Sequence, residues 1–152
     1  AELNHALAPL RVYLFVGGLF VAYAALRQPF GAGLTASLLV GLVCDARASL
    51  DEFGLHFLLF GTAHVIVFHL RDRIPRDDTT GRVIVALLTN PAPFLLLSFI
   101  QITHSPAPAA VWPRLISDLV CSQIFLALAA PWFFALQARA LVLARVDRES
   151  LV

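Results

Sequence analysis

An all-α, polytopic transmembrane bundle is the fold this sequence predicts, and three observations lead there. The chain has 152 residues, 59% of them hydrophobic and only 14% charged. Soluble domains run near 45–50% apolar and about 25% charged, and a domain this small exposes too much surface to carry such a composition in water. Mean hydropathy is +0.81, which also excludes disorder, since that needs low hydrophobicity. Finally, the apolar residues gather into runs. A spanning helix takes about 20 of them, so the chain holds about five or six.

Five apolar segments emerge in order. The first covers about 10–26 and stops at Arg27-Gln28-Pro29. The second, 30–44, is short for a span and contains Gly31, Gly33 and Gly41. The third runs over about 53–70. The fourth, 83–102, carries Asn90-Pro91-Ala92-Pro93 at its middle, a break expected to leave backbone carbonyls unpaired as in the discontinuous helices of transporters. The fifth covers 111–136 and its apolar character continues to Leu143, longer than a bilayer is thick, so it tilts, breaks near Pro131 or emerges from the membrane. No repeat or linker divides the chain, and 1–152 reads as one transmembrane domain.

Eleven basic residues, all arginine, stand against ten acidic ones, a balance that provides no bulk field for nucleic acid. Their placement sets an orientation. Five spans put Arg27, Arg71, Arg73, Arg76, Arg82, Arg139, Arg145 and Arg148 on one side, with Arg11, Arg47 and Arg114 opposite. The richer side is cytoplasmic under the positive-inside rule, and the C-terminus with it. Residue 1 then falls outside, which a further N-terminal helix would correct by making six spans.

Few residues carry chemistry. Asp45 ends the second segment at a bilayer interface. It is either a solvated or Arg47-paired loop carboxylate or a contact that fixes the turn or a partner. Gly54 is a turn glycine preceding the third segment. His56, His64 and His69 share that segment at spacings of eight and five. Such spacings separate the rings by about 12 Å or rotate them about 140° apart, so this helix does not chelate a metal by itself. Arg114 and Asp118 are four apart and pair on one face, either structurally or as part of an interhelical or ligand contact with Gln123 and Asn90 as neighbours. Gly17 and Gly18 allow close helix contact through Gly-x-x-x-small spacing. Cys44 and Cys121 lack CxxC spacing. Neither a nucleophile elbow, a phosphate loop nor an HExxH pair occurs, so no catalytic residue, metal or cofactor is expected.

Around Asp45 the sequence resembles a known family. The run Gly41-Leu42-Val43-Cys44-Asp45, then Gly54-Leu55-His56 between two apolar helices, is similar to MreD, the bacterial rod shape-determining membrane protein. Pro9 before the first segment, Tyr23 late in it, the arginine-bearing loop after the third segment and Pro131 before a basic tail agree, so the resemblance covers about Pro9 to Arg145. Members begin with a further hydrophobic helix, and the Asn90 break has no place in their pattern. The resemblance implies a non-enzymatic scaffold of the cell-elongation (Rod) complex in the inner membrane, supporting peptidoglycan synthesis and rod shape. It implies partners too: the single-span protein MreC, the RodA glycosyltransferase, a penicillin-binding transpeptidase and membrane lipid. The family's six-helix fold is similar to the substrate-binding subunits of energy-coupling-factor vitamin transporters. Gly41, Asp45, Gly54 and His56 would shape the periplasmic turn or touch a partner.

Two other readings compete. A vitamin-transporter subunit would have the same topology and build a pocket from Asp45, Asp51, Glu52, His56 and Asp118. An intramembrane enzyme would use the same Asp and His residues for turnover.

Overall fold

The computed structural model describes residues 13–46, 53–73, 79–103 and 108–143, and every element among them is helical. The readings placed on Pro9, Arg11, Arg47, Asp51, Glu52, Arg76, Arg145 and Arg148 lie outside those residues. In chain order the helices are α1 (Gly17–Arg27), α2 (Phe30–Asp45), α3 (Leu55–Leu70, extended by a 3-10 turn at Arg71–Arg73), α4 (Thr79–Thr89), α5 (Pro91–Thr103) and α6 (Pro108–Leu143).

Local chemistry sets the boundaries. Pro29 holds Gln28 extended, at φ −103° and ψ 155°, which stops α1 and starts α2 in a single step. Gly54, at φ +92°, turns the chain into α3. Pro91 supplies no N–H to the Leu87 carbonyl, which interrupts the helix ladder and separates α4 from α5, while the Asn90 N–H still donates to the Ala86 carbonyl at 3.1 Å.

One expectation about the spans needs correction, and one set of alternatives narrows. The first apolar run does not form a helix throughout: residues 13–16 are irregular and α1 begins only at Gly17. Hydropathy misses this because an apolar residue reads the same in either conformation. Of the three outcomes open to the fifth run, the break near Pro131 is the one that does not occur: α6 continues through both Pro113 and Pro131 for 36 residues, roughly 54 Å. Thr80–Ile100 and Ala110–Gln137 are long and apolar enough to cross a membrane, whereas α1 and α2 are shorter apolar helices.

The short α1 lies at the centre of the bundle, packed on α2, α3 and α4, while α6 packs chiefly against α4 and α5. Its Ala22 and Ala25 are fully buried against Val85, Ala86, Leu126 and Ala130, where small side chains let helix backbones approach. Val21 lies in a second cluster with Phe15, Phe60, Phe94 and Leu97. The outer surface reverses the polarity of a soluble protein. Leu39, Leu58, Leu88, Phe99, Leu128 and Trp132 are exposed, whereas Ser37, Asp45, His64, Asn90, Asp118 and Ser122 are buried.

Candidate functional site

Among the described residues, six of the eight buried polar residues fall into three separate groups. The first joins α2 to α3. Gly54 occupies the N-cap of α3 and has no side chain to satisfy the first amides of the helix. Asp45 supplies the cap from α2. Its Oδ1 accepts the His56 N–H at 2.9 Å and its Oδ2 accepts the Phe57 N–H at 2.9 Å. The His56 ring adds Nδ1 at 2.8 Å from Oδ1. A carboxylate at a helix N-terminus also meets the positive end of the helix dipole. Burial alone would raise the Asp45 carboxyl, which lies just past the 30–44 span. The Phe57 and His56 amides and the His56 ring outweigh burial and hold it below its ordinary value.

The other two motif residues make this contact attainable. A Cβ on Gly41 would fall 2.7 Å from Phe57 Cα and 2.8 Å from the His56 carbonyl oxygen, so only glycine lets the two backbones meet here. At Gly54 the requirement is backbone conformation, since nothing lies within 4 Å of an added Cβ. Gly41, Asp45, Gly54 and His56 are thus brought together in one unit that closes the α2–α3 hairpin. Arg47 lies outside the described residues, and the Asp45 carboxylate faces α3.

The second group holds the irregular residues ahead of α1. Tyr13 N–H donates to Asp118 Oδ1 at 2.9 Å, and Phe15 N–H donates to Ser122 Oγ at 2.9 Å. Ser122 in turn donates to the Asp118 carbonyl at 2.6 Å. Asn90, at the α4–α5 break, accepts the Gly18 N–H through Oδ1 at 3.1 Å and donates through Nδ2 to the Phe15 carbonyl at 3.0 Å. α6 and the α4–α5 break therefore satisfy the backbone groups that a regular first helix would have satisfied internally.

Arg114 lies 3.9 Å from Asp118 through Nε and Oδ2, with the arginine largely exposed. Gln123 and Asn90, the neighbours in the alternative reading of this pair, hydrogen-bond elsewhere. Gln123 donates through Nε2 to the Leu87 carbonyl at 3.3 Å. Leu87 is four residues before Pro91 and is the carbonyl that Pro91 leaves without its helical donor. One carbonyl freed by the break is therefore satisfied from α6, which corrects the expectation that the break leaves it unpaired.

The third group is His64, buried between α2 and α3, with Nδ1 3.0 Å from Ser37 Oγ and its ring stacked on Phe68. His69 turns back to the Val65 carbonyl at 2.8 Å. The three histidines of α3 thus hydrogen-bond three different partners, and no cluster of three metal-ligating side chains occurs among the described residues. Asn90, Ser122 and Ser37 were not singled out as a set by sequence. The one available signal was the four-residue spacing of Asp118 and Ser122.

α6 also divides sharply by face. Asp118, Ser122, Leu126, Ala130 and Phe134 recur every fourth residue and are buried; Ile116, Val120, Ile124, Leu128, Trp132 and Leu136 recur every fourth residue and are exposed. The two rows are two residues out of phase, about 200° around the helix. Compared with family models, curated proteins and solved structures, the chain matches none of them.

Proposed function

We propose that this chain is a multi-pass protein of the bacterial inner membrane, with its C-terminus cytoplasmic, that acts by binding and not by catalysis. Its partner is a single-span protein of the MreC kind. Through that partner the chain serves the cell-elongation complex, alongside a RodA-type glycosyltransferase and a penicillin-binding transpeptidase. The observation that carries this reading is the outward row on α6. From Ile116 to Leu136 it runs 20 residues, roughly 30 Å, the thickness of a bilayer's hydrocarbon core. A row at every fourth residue is the ridge that a second helix packs against. The Asp45–His56 unit supports the same reading, because both oxygens of its carboxylate are occupied in closing a hairpin, which leaves helix surfaces to do the binding.

The test is capture of the tagged full chain in nanodiscs, with proteins and small molecules identified together by mass spectrometry. A single-span partner is the expected recovery. Flattening the ridge with Leu128→Ala and Trp132→Ala should reduce that recovery several-fold, while Leu39→Ala on α2 should not. A stoichiometric vitamin-sized metabolite, or an ATPase-linked membrane partner, would replace this reading with that of a transporter subunit.

A further inference from the structure

The ring of His56 is held twice. Its Nδ1 lies 2.8 Å from Asp45 Oδ1, and its plane stands at 85° to the buried Phe60 ring, with centroids 6.1 Å apart. The same Oδ1 accepts the His56 N–H, and Oδ2 accepts the Phe57 N–H, both at 2.9 Å. An ionised carboxylate only accepts, so the hydrogen of the 2.8 Å contact belongs to Nδ1. In the neutral ring the lone pair is then left to Nε2, on the side away from Asp45. A carboxylate fixes the tautomer and the aim of metal-binding histidines through this same contact.

The surroundings decide what Nε2 accepts. The His56 side chain is 17% exposed, and no donor among the described residues reaches Nε2. His64 Nε2 also lacks a hydrogen-bond partner, but its residue is fully buried, out of reach of a second molecule. One imidazole is too few ligands for a metal ion, and no cluster of three metal-ligating side chains accompanies it among the described residues. An anion, a lipid phosphate included, would meet the Asp45 charge across the ring. A neutral O–H or N–H donor remains. His56 lies in the first turn of α3, at the end the positive-inside count assigns to the outside. Tyrosine and tryptophan gather at that boundary, each with a ring to pack and one donor at its tip.

We infer that His56 Nε2 accepts a hydrogen bond from a tyrosine hydroxyl or tryptophan N–H of the single-span partner, at the outer boundary of the membrane. The inference rests on the partner reading above and adds a directed contact to the α6 ridge. Apolar ridges pack two helices together, and a polar contact fixes their register. Leu55 and Leu59, near His56 in α3, and Leu115 and Leu119, flanking Ile116 in α6, pack against one cluster. The two contacts therefore belong to the same end of the molecule, where a helix on the ridge brings its boundary residues.

Two substitutions in the full chain separate the two ring nitrogens. In His56→Asn the amide nitrogen stands where Nδ1 does, so the Asp45 bond is kept and the outer acceptor is lost. In His56→Gln the amide reaches the position of Nε2, and the Asp45 bond is lost instead. Captured from nanodiscs, His56→Asn should recover several-fold less partner while its denaturant midpoint in micelles is unchanged. His56→Gln should recover most of the partner although its midpoint falls. A residue that only closes the hairpin gives the reverse, with Gln impaired in both measurements and Asn in neither, and that result would overturn the inference. Nitrogen NMR of the isotope-labelled ring should show Nδ1 protonated and Nε2 not; two protonated nitrogens would overturn it as well. On the captured partner, replacing the boundary tyrosine or tryptophan with phenylalanine should reproduce the His56→Asn loss and add nothing to it. Loss of a co-purified lipid from His56→Asn with the partner retained would also overturn it, since the acceptor would then serve lipid. Recovery of no single-span protein by the unsubstituted chain would sink the partner reading and this inference with it. That outcome is distinct from a recovery that His56→Asn leaves unchanged, which overturns the inference alone.

Discussion

Two buried aspartates do the same job in two regions of this molecule, and they differ in how far they reach. Asp45 accepts amides 11 and 12 residues along the chain, and Asp118 accepts one 105 residues away. Asp45 uses both oxygens in hydrogen bonds and adds a histidine ring. Asp118 uses one oxygen on an amide and shows the other to a largely exposed arginine. The first closes a hairpin between sequence neighbours. The second helps seat the lead-in to the central helix, together with Asn90 and Ser122. A carboxylate committed through both oxygens should tolerate no substitution, whereas one committed through a single oxygen should accept an isostere.

The largest effect should come from Asp45→Ala. It strands the His56 and Phe57 amides and the His56 ring nitrogen in a buried site, and each orphaned group costs about 1–3 kcal/mol. We expect a loss of about 3 kcal/mol or more, read from reversible denaturant titration of the full chain in micelles. Asp45→Asn should recover only part of it, because its amide nitrogen must face one of the donors. An unchanged transition midpoint in Asp45→Ala would show that the unit closes nothing. The sign of the pH dependence follows from the same contacts. The folded carboxyl titrates below its ordinary 3.8, so its contribution is complete above that value and is lost as pH falls through the lower folded value. Neutral and mildly acid media leave the carboxylate ionised.

That contrast in reach also explains what sequence could disclose. The Asp45 unit was legible because Gly41, Asp45, Gly54 and His56 fall within 16 residues and their spacing survives in one dimension. The helix break at Asn90 was legible from its two prolines, as was the stop at Pro29. The irregular 13–16 segment was not. Its backbone partners are Asp118, Ser122 and Asn90, supplied by other helices more than 70 residues away, and apolar side chains alone gave no sign of it. Gln123 on the Leu87 carbonyl was hidden for the same reason. The continuity of α6 through Pro131 depends on packing around the helix, which a lone proline does not disclose.

A middle-sized effect should follow at the break. Asn90→Ala leaves the Gly18 amide and the Phe15 carbonyl without their partners. Interhelical hydrogen bonds in membranes are worth less on average than their burial implies, because the unfolded chain finds partners too. About 1–2 kcal/mol is therefore expected, smaller than at Asp45. Hydrogen exchange should show where the loss falls: faster exchange at Gly18 and along the first turn of α1, with His56 and Phe57 still protected. Uniform loss of protection across both regions would mean the two units are a single cooperative structure, and the comparison would fail.

The smallest effect gives the sharpest test of the pair. Asp118→Asn keeps an acceptor for the Tyr13 amide, 2.9 Å away, and removes only the charge facing Arg114 at 3.9 Å. Arg114 has 65% of its side chain exposed, so solvent screens that attraction. The substitution should cost less than about 0.5 kcal/mol, within the range of exposed ion pairs. Asp118→Ala, by contrast, strands the Tyr13 amide and should cost about 1–3 kcal/mol. Both are measured by the same titration as the Asp45 variants, so four midpoints decide the matter. A severe Asp118→Asn would mean that the charge itself holds α6 in place, and the distinction between one committed oxygen and two would not survive.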